Sequence, residues 1–329
     1  MAVTAGIDQV EALLNARRFA EAAHLLIDLA SRDEGAALTR LAYWRISGDL
    51  IRRDLAEARA LLGRAAAKGD DEAALLHASF LASGVGGEPQ WRTAYEEIAR
   101  LAPKRPRARA QLDLLRRMDL DEDGFPSRPA ETRLLGDSPW AVASDAFLSQ
   151  AECAYLRAAL EPELQPSVVV DPASGRMIPH PIRTSDGAIY GVFAEDLAVN
   201  AINRRIAALS GTGPDQGEPL QLLRYRPDAE YRAHMDALPS EPNQRVMTVL
   251  VYLSDDYEGG ETRFLRTGLD FKGRTGDALL FRNAREDGSP DPMSLHAGLP
   301  VTRGVKYIAS RWIRARAFTF PPPKPLLEL

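Results

Sequence analysis

The chain has 329 residues, of which 45% are hydrophobic and 26% charged, a composition typical of globular proteins and a length that fits two domains. Its formal net charge of −5 argues against nucleic acid as a partner. The single cysteine, Cys153, excludes an intrachain disulfide, and the sequence contains neither a signal-peptide pattern nor a long apolar run. We therefore expect a cytoplasmic protein with no membrane partner.

Residues 1–117 are predicted to be helical, because they are rich in Ala, Leu, Arg and Glu and their apolar positions recur at helical spacing. Three pairs of identical residues share an offset of 36 residues (73 − 37): Ala37 and Ala73, Gly48 and Gly84, and Ala58 and Ala94. This period fits two helices with their turns and predicts a helical solenoid for packing or partner binding. The small-residue positions resemble the Sel1-like repeat, a relative of the tetratricopeptide class, and a plain helical bundle is the alternative.

The sequence changes character after residue 117. Residues 118–137 are interpreted as a linker, and residues 319–329 as an extended, Pro-rich tail. Between them, helices are predicted near 149–160 and 194–209, and strands at Leu220–Tyr225, Val246–Leu253, Ala278–Phe281 and Val305–Ile313. Short strands separated by Gly and Pro turns indicate a sandwich or a jelly roll over residues 138–318. The predicted fold class is therefore α+β and multidomain.

His234, Asp236 and His296 are the candidate metal ligands. The first two are two positions apart, so on a strand their side chains would point to the same face. His296 lies 60 residues (296 − 236) later, and a jelly roll can bring a distant strand beside the first. Two histidines and one carboxylate form the facial triad of non-haem Fe(II) oxygenases, which leaves positions open for other ligands. Scattered polar residues with no common site are the alternative.

Lys306 begins a predicted strand on which Lys306, Ile308, Ser310 and Trp312 share one face. A lysine among the apolar residues of a core strand is costly unless its charge is paired. The distal carboxylate of 2-oxoglutarate would supply the opposite charge. A salt bridge to an internal Asp or Glu is the alternative.

Ordered motifs over about residues 140–318 resemble the catalytic domain of prolyl 4-hydroxylases and their bacterial relatives. In chain order they are Phe147-Leu148-Ser149, Arg183-Thr184-Ser185, Gln221–Tyr225, Tyr231–Asp236, Arg245–Thr248, Val251–Ser254, Gly259–Phe264, Gly276–Phe281, Ser294–Gly298, Gly304–Lys306 and Arg311–Arg314. The fold that this resemblance implies is a double-stranded β-helix, or jelly roll, with flanking helices.

The resemblance also implies three groups of site residues. The iron ligands are His234, Asp236 and His296. The cosubstrate-binding residues are Lys306, Tyr225, Thr262 and Trp312, and the substrate-side residues are Arg183 and Arg245. The single cysteine departs from the secreted, disulfide-bonded branch that modifies collagen, which makes that branch a poor guide to the substrate.

The implied activity is that of an Fe(II)- and 2-oxoglutarate-dependent dioxygenase. Such an enzyme uses O₂, releases succinate and CO₂, and hydroxylates an unactivated C–H bond, here in a prolyl residue of a protein or peptide. Ascorbate is expected as a reductant of the iron, and the helical repeats as a docking arm for the substrate. A hydroxylase of small molecules or free amino acids is one alternative. A catalytically inactive binding protein that uses the repeats is another.

Overall fold

The computed structural model describes residues 2–170, 177–191, 195–319 and 322–329. The chain divides into two compact units. The first, here called the helical unit, runs through Phe125 and includes the start of a later helix up to Ala201 and the chain from Thr319 onward. The second, here called the barrel unit, begins at Pro126 and includes Ile202–Phe318. Among the described residues, none of the helices combines the length and the apolar character needed to span a bilayer.

Helices build the first part of the helical unit. They are α1 (Ala2–Asn15), α2 (Phe19–Ser31), α3 (Gly35–Ser47), α4 (Leu55–Ala67), α5 (Asp71–Ser83), α6 (Trp91–Leu101) and α7 (Pro106–Leu115). The carboxylates of Asp54 and Asp70 accept backbone N–H groups in the first turns of α4 and α5, which satisfies donors that a helix leaves unpaired.

The structure confirms a two-helix repeat with the predicted offset. Ala37 and Ala73 are buried on α3 and α5, and Ala58 and Ala94 are buried on α4 and α6. Gly48 and Gly84 follow the ends of α3 and α5 with φ values of 74° and 73°, a backbone conformation that glycine adopts without a steric penalty. The likeness to the Sel1-like repeat remains a prediction.

The barrel unit is built mainly from antiparallel strands. They are β1 (Arg133–Asp137), β2 (Trp140–Ser144), β3 (Gln165–Pro166), β4 (Val168–Val170), β5 (Met177–Pro179), β6 (Asp186–Ile189), β7 (Gln221–Tyr225), β8 (Tyr231–His234), β9 (Arg245–Tyr252), β10 (Tyr257–Gly259), β11 (Thr262–Phe264), β12 (Leu269–Phe271), β13 (Ala278–Arg282), β14 (His296–Gly298), β15 (Val301–Gly304) and β16 (Lys306–Arg314). Two further helices are α8 (Gln150–Leu160) and α9 (Leu197–Ser210), which passes from one unit to the other at Ala201.

Two sheets form the predicted jelly roll. The major sheet has eight strands in the order β1-β2-β13-β9-β16-β7-β6-β3, and the minor sheet has four in the order β12-β11-β14-β8. A single core contains Leu250, Tyr252 and Ile308 from the major sheet together with Phe264 and Phe271 from the minor sheet. The largely apolar β9 lies between β13 and β16 in this sheet, and its residues from Thr248 to Tyr252 are buried on both faces.

The predicted boundaries need one correction. Arg133–Asp137, placed in the linker, is β1 of the major sheet, while Met118 and Leu120 pack against the core of the helical unit. Three of the five residues of β1 are exposed, so the strand shows no alternation of apolar and polar residues in the sequence. The Pro-rich tail has no regular secondary structure over residues 322–325, and its Leu327 and Leu329 pack against another part of that core. Residues 194, 320 and 321 of the predicted helix and tail lie outside the described residues.

Candidate active site

Neighbouring strands of the minor sheet bring the two histidines together. His234 is the last residue of β8, His296 is the first residue of β14, and the two are paired in register. Asp236 was expected on the same strand as His234, but β8 ends at His234 and Asp236 lies in the bend that follows. Its side chain still converges with the imidazoles, so the predicted constellation forms although the predicted strand is too long.

The three side chains have the geometry of a metal centre. His234 Nε2 lies 3.6 Å from Asp236 Oδ1, and His296 Nε2 lies 3.8 Å from Asp236 Oδ2. All three residues offer ligand atoms within 4.8 Å of one another, and their side chains are at least nine-tenths buried. Two imidazole nitrogens and one carboxylate oxygen are the donor set expected for Fe(II) with open coordination positions.

Backbone carbonyls orient both imidazoles. His234 Nδ1 lies 2.8 Å from the Arg232 carbonyl oxygen, and His296 Nδ1 lies 2.9 Å from that of Ser294. Because a carbonyl only accepts, each Nδ1 carries the proton and each Nε2 presents its lone pair to the centre. The ring of Tyr231 stacks on His234 with 3.4 Å between centroids, which further restricts rotation of this imidazole.

The electrostatics favour cation binding. Burial, together with the neighbouring His296, lowers the pKa of His234 to about 4, so its imidazole is neutral at physiological pH. Burial alone would raise the pKa of Asp236, but the two imidazoles and a hydrogen bond from Thr248 outweigh it and hold this pKa below its ordinary value. A neutral His234 beside an ionised Asp236 suits metal binding, because a metal ion requires deprotonated ligand atoms.

Thr248 and Asn283 support the carboxylate, and the sequence did not single them out for this role. Thr248 Oγ1 donates to Asp236 Oδ2 over 2.6 Å, and Asn283 Nδ2 donates to Thr248 Oγ1 over 2.8 Å. Both residues are almost completely buried. The chain Asn283–Thr248–Asp236 therefore fixes one carboxylate oxygen and leaves Oδ1 as the oxygen most available to a metal. The available signal was a threonine inside an otherwise apolar strand.

The predicted face of β16 forms one wall of a cleft that also contains the three candidate ligands. Lys306, Ile308, Ser310 and Trp312 all line it, as the alternation along the strand predicts. Leucine side chains of β7 and β9, at Leu223 and Leu250, contribute apolar surface. The cleft thus combines a metal centre, one cation and a largely apolar wall, as binding sites for small ligands commonly do.

Lys306 is buried in this cleft without a carboxylate partner. Its Nζ donates to the Gly260 carbonyl oxygen over 2.6 Å, and no carboxylate of the described residues lies within ion-pair distance. Burial is the main reason why its pKa falls to about 7, while nearby Glu261 opposes the fall and Lys272 adds to it. The internal salt bridge that the sequence left open is therefore not found among these residues, and an anionic ligand would stabilise the charged form.

Tyr225 and Thr262 also line the cleft. Tyr225 is opposite Lys306 in the pairing of β7 with β16, and the Lys306 Nζ atom lies 5.5 Å from the centroid of its ring. Burial raises the pKa of Tyr225 to about 12, so its hydroxyl keeps a proton to donate. The Thr262 hydroxyl is hydrogen-bonded to Tyr252 over 2.9 Å.

The two substrate-side arginines are placed differently. Arg183 lines the cleft with its guanidinium 5.5 Å from the Tyr231 ring centroid. Arg245 is not among the cleft-lining residues of the described chain. It donates to Glu218 over 2.6 and 3.0 Å, and its guanidinium stacks 3.6 Å from the Trp312 ring centroid. In this structure Arg245 therefore orients Trp312, and a direct contact with substrate remains a prediction.

Comparison with known proteins agrees with this geometry. The family model described as the 2OG-Fe(II) oxygenase superfamily matches residues 220–314. Prolyl 4-hydroxylase 1 of Arabidopsis thaliana is 38% identical over 199 residues, which cover 55% of this chain and 70% of the relative. The chain belongs to the prolyl 4-hydroxylase family. Probable prolyl 4-hydroxylase 3 from the same plant is another relative, with 37% identity over 206 residues, covering 55% of this chain and 71% of that one.

A solved structure of the prolyl hydroxylase class is also similar. It is a viral collagen prolyl hydroxylase from Paramecium Bursaria Chlorella virus-1 in complex with 2OG, with 28% identity and a TM-score of 0.45, covering 55% of this chain and 98% of that one. As a member of the 2OG-Fe(II) oxygenase superfamily, this prolyl 4-hydroxylase relative uses Fe(II), 2-oxoglutarate and O₂.

Substitution Thr248→Val tests the support of Asp236. Valine keeps the shape but removes the hydroxyl, so Asp236 loses the donor on Oδ2 and Asn283 loses its acceptor. We expect Fe(II) affinity to fall about 10–100-fold while the fold is retained. The readout is anaerobic Fe(II) titration alongside circular dichroism.

Thr302→Val, at an exposed position of β15, is the matched control and should bind iron like the wild type. Equal iron affinity in all three proteins would show that Thr248 has no part in holding the ligand.

Proposed function

We propose that this protein hydroxylates a prolyl residue in a peptide or protein, with Fe(II), 2-oxoglutarate and O₂. The observation that carries the proposal is the buried Lys306, which has no carboxylate partner among the described residues and shares a cleft with His234, Asp236 and His296. A buried cation requires an opposite charge to offset the cost of its burial. 2-Oxoglutarate has a carboxylate at each end, so one end can bind the metal of the facial triad while the other end pairs with Lys306. The names of the Arabidopsis relatives support proline as the target.

Each residue group has a distinct task in this proposal. His234, Asp236 and His296 would hold the iron, which supplies, when bound, the oxidising chemistry that couples loss of CO₂ from 2-oxoglutarate to hydroxylation of a C–H bond. Lys306 binds the distal carboxylate as a point charge with several donors. In this proposal the hydroxyl groups of Tyr225 and Thr262, which line the same cleft, complete the hydrogen bonds of that carboxylate.

The remaining walls of the cleft exclude water and present the substrate. Leu223, Leu250 and Ile308 surround the cosubstrate with apolar surface, which strengthens the attraction between Lys306 and a carboxylate. Trp312, braced by Arg245, offers an aromatic face against which a pyrrolidine ring can pack. Arg183 also lines the cleft and would donate a hydrogen bond to a carbonyl oxygen of the peptide substrate. Ascorbate is proposed as a reductant, by analogy with the family.

We also propose that the helical unit helps to dock a long substrate. Support comes from a cleft in that unit, lined by the half-exposed Tyr43, by Leu75 and Leu76, and by the charged Glu72 and Arg107. An aromatic ring beside apolar and charged groups is a suitable surface for an extended polypeptide.

The main test is succinate release coupled to oxygen incorporation into proline. Wild-type protein with Fe(II), 2-oxoglutarate and O₂ is assayed on proline-rich peptides, on free proline and on other free amino acids. We expect hydroxyproline in peptides only, and loss of both products in the His234→Ala, Asp236→Ala and His296→Ala variants, since each lacks an iron ligand.

Hydroxylation of a free amino acid but no peptide would favour the small-molecule alternative. Normal iron binding and turnover in all three variants would refute the site. Failure of well-folded, iron-loaded wild type to consume 2-oxoglutarate with any substrate would favour an inactive binding protein.

A second prediction concerns Lys306. Lys306→Ala removes one partner of a buried charge pair, which typically costs about 2–5 kcal/mol, so the Kd of 2-oxoglutarate should rise roughly 30-fold or more. Iron affinity should change little. A 2-oxo acid without the distal carboxylate should bind both proteins alike, so additive effects of the two changes would mean that Lys306 does not contact that carboxylate.

The same contact predicts a pH dependence. Free Lys306 has a pKa of about 7, lowered by burial, and the carboxylate binds only its protonated form. The Kd of 2-oxoglutarate should therefore be constant well below pH 7 and rise about tenfold per pH unit above it. The Lys306→Ala variant and the truncated 2-oxo acid should show no such rise, and a flat profile in the wild type would contradict the assignment.

Docking by the helical unit is tested with Tyr43→Ala. We expect a several-fold higher KM for a long proline-rich polypeptide, with an unchanged KM for a short peptide of the same sequence and an unchanged kcat for both. Leu134→Ala, an exposed apolar residue of the barrel unit, is the control. Equal KM values for the long substrate in all three proteins would remove this cleft from the proposal.

A further inference from the structure

The tail of the chain is itself an extended segment rich in proline. The sequence has Pro321-Pro322-Pro323-Lys324-Pro325 before its last leucines. In the described part, the Leu326 N–H donates to the Asp49 carbonyl oxygen over 2.8 Å and the Leu327 N–H to that of Leu50 over 2.9 Å. Leu327 also forms a parallel bridge with Ile51. The tail is thus held on the helical unit by its leucines, beyond the last proline.

The prolines of this tail differ in exposure. Pro322 is exposed, whereas Pro323 and Pro325 are half-buried. Pro323 faces Gly48, and a side-chain carbon built on that glycine would lie 3.3 Å from the Pro323 ring. The alternation of exposed and covered residues continues through Leu329. Pro322 therefore presents its ring to solvent.

The backbone around Pro322 is also free of regular structure. Proline has no N–H, and no backbone hydrogen bond is found from residues 322–325 in the described chain. Consecutive prolines favour the polyproline II conformation, which is extended and has no internal hydrogen bonds. By contrast, Pro106, Pro162, Pro214 and Pro292 lie in the first turns of helices, where the backbone is fixed. Among the described residues, the backbone hydrogen bonds that hold the tail all lie after Pro322, at Leu326, Leu327 and Leu329.

We propose that Pro322 is a substrate of this protein, hydroxylated by a second copy of the chain. The inference rests on the proposed prolyl hydroxylase function. One C–H bond of the Pro322 ring becomes C–OH with one atom of O₂, and the other oxygen atom enters succinate. 2-Oxoglutarate loses CO₂ and supplies two of the four electrons that reduce O₂, while the C–H bond supplies the other two. No further reductant is needed for a complete turnover.

Attachments of the preceding segment favour a second copy over the same chain. The Phe318 N–H donates to the Asp215 carbonyl oxygen over 2.8 Å, and Asn243 Nδ2 donates to the carbonyl oxygens of Arg316 and Ala317. Only residues 319–321 lie between this anchored segment and Pro322, so Pro322 stays within about 14 Å of Phe318. A tail offered to another molecule has no such limit.

The experiment uses two forms of the full chain. The acceptor is isotopically heavy and carries Asp236→Ala, so it has the tail but cannot turn over. The donor is unlabelled and carries Pro322→Ala, so it is active but lacks the target. After incubation with Fe(II), 2-oxoglutarate and O₂, we expect the heavy Pro322 peptide to gain one oxygen atom in mass spectrometry, and no gain when 2-oxoglutarate is omitted.

Further arms separate the two hypotheses. A heavy Lys306→Met acceptor repeats the test in case the first acceptor misfolds. A heavy acceptor that also carries Pro129→Ala, an exposed proline outside any proline run, should be modified normally, whereas one that also carries Pro322→Ala should not. Hydroxylation of an unrelated proline-rich peptide without any gain on the acceptor would overturn self-modification and leave the proposed function standing. A gain only at a proline other than Pro322 would overturn the assignment of Pro322 as the substrate. No hydroxylation of either substrate would count against both.

Discussion

A buried positive charge between the two sheets is the constraint on which the active cleft depends. Lys306 is 3% exposed and its ammonium group donates a hydrogen bond to the Gly260 carbonyl oxygen. Its pKa is lowered below that of an unfolded lysine, so the unfolded chain binds a proton that the folded chain releases above about pH 7. The free energy of unfolding therefore gains from this group as pH rises from about 7 toward the ordinary lysine range, and the cost of burying the charge is fully present below pH 7.

The extensive core around this lysine makes that cost tolerable. Tyr252, Phe264 and Phe281 are completely buried, and together with their neighbours they join both sheets into one core. Each sheet then contributes one half of the chemistry. The minor sheet carries His234 and His296 on adjacent strands, and the major sheet carries Lys306 and Tyr225 on adjacent strands. A slip of one residue in either pairing would turn one of these side chains to the opposite face, so strand register determines whether the cleft is complete.

Much of this arrangement can be predicted from the sequence, because a period of two fixes the faces of a regular strand. That rule placed Lys306 and Trp312 on one wall, and a spacing of two brought His234 and Asp236 together even though Asp236 lies past the strand end. The role of Thr248 could not be predicted, because the sequence of an apolar strand does not show whether the hydroxyl of its one threonine contacts a carboxylate. The β1 strand was missed because it lies at the edge of the major sheet and three of its five residues are exposed, so it shows no alternation of apolar and polar residues. The contacts of the tail leucines could not be predicted because their partners, residues 49–51, are distant in sequence. The position of Arg245 against Trp312 likewise depends on Glu218, which no local pattern connects to it.

The helical unit is built from separate segments of the chain, which has a consequence for folding during synthesis. Leu197 and Ala201 of α9 belong to its core, and Leu327 and Leu329 pack against another part of it, although most of the unit precedes Phe125. During translation from the N-terminus, Leu197 and Ala201 therefore emerge only after the first part of the barrel unit, and Leu327 and Leu329 only after all of it. A nascent chain would carry an uncovered apolar surface on its first-made helices for most of its synthesis, and this interval is when chaperones would have most to bind.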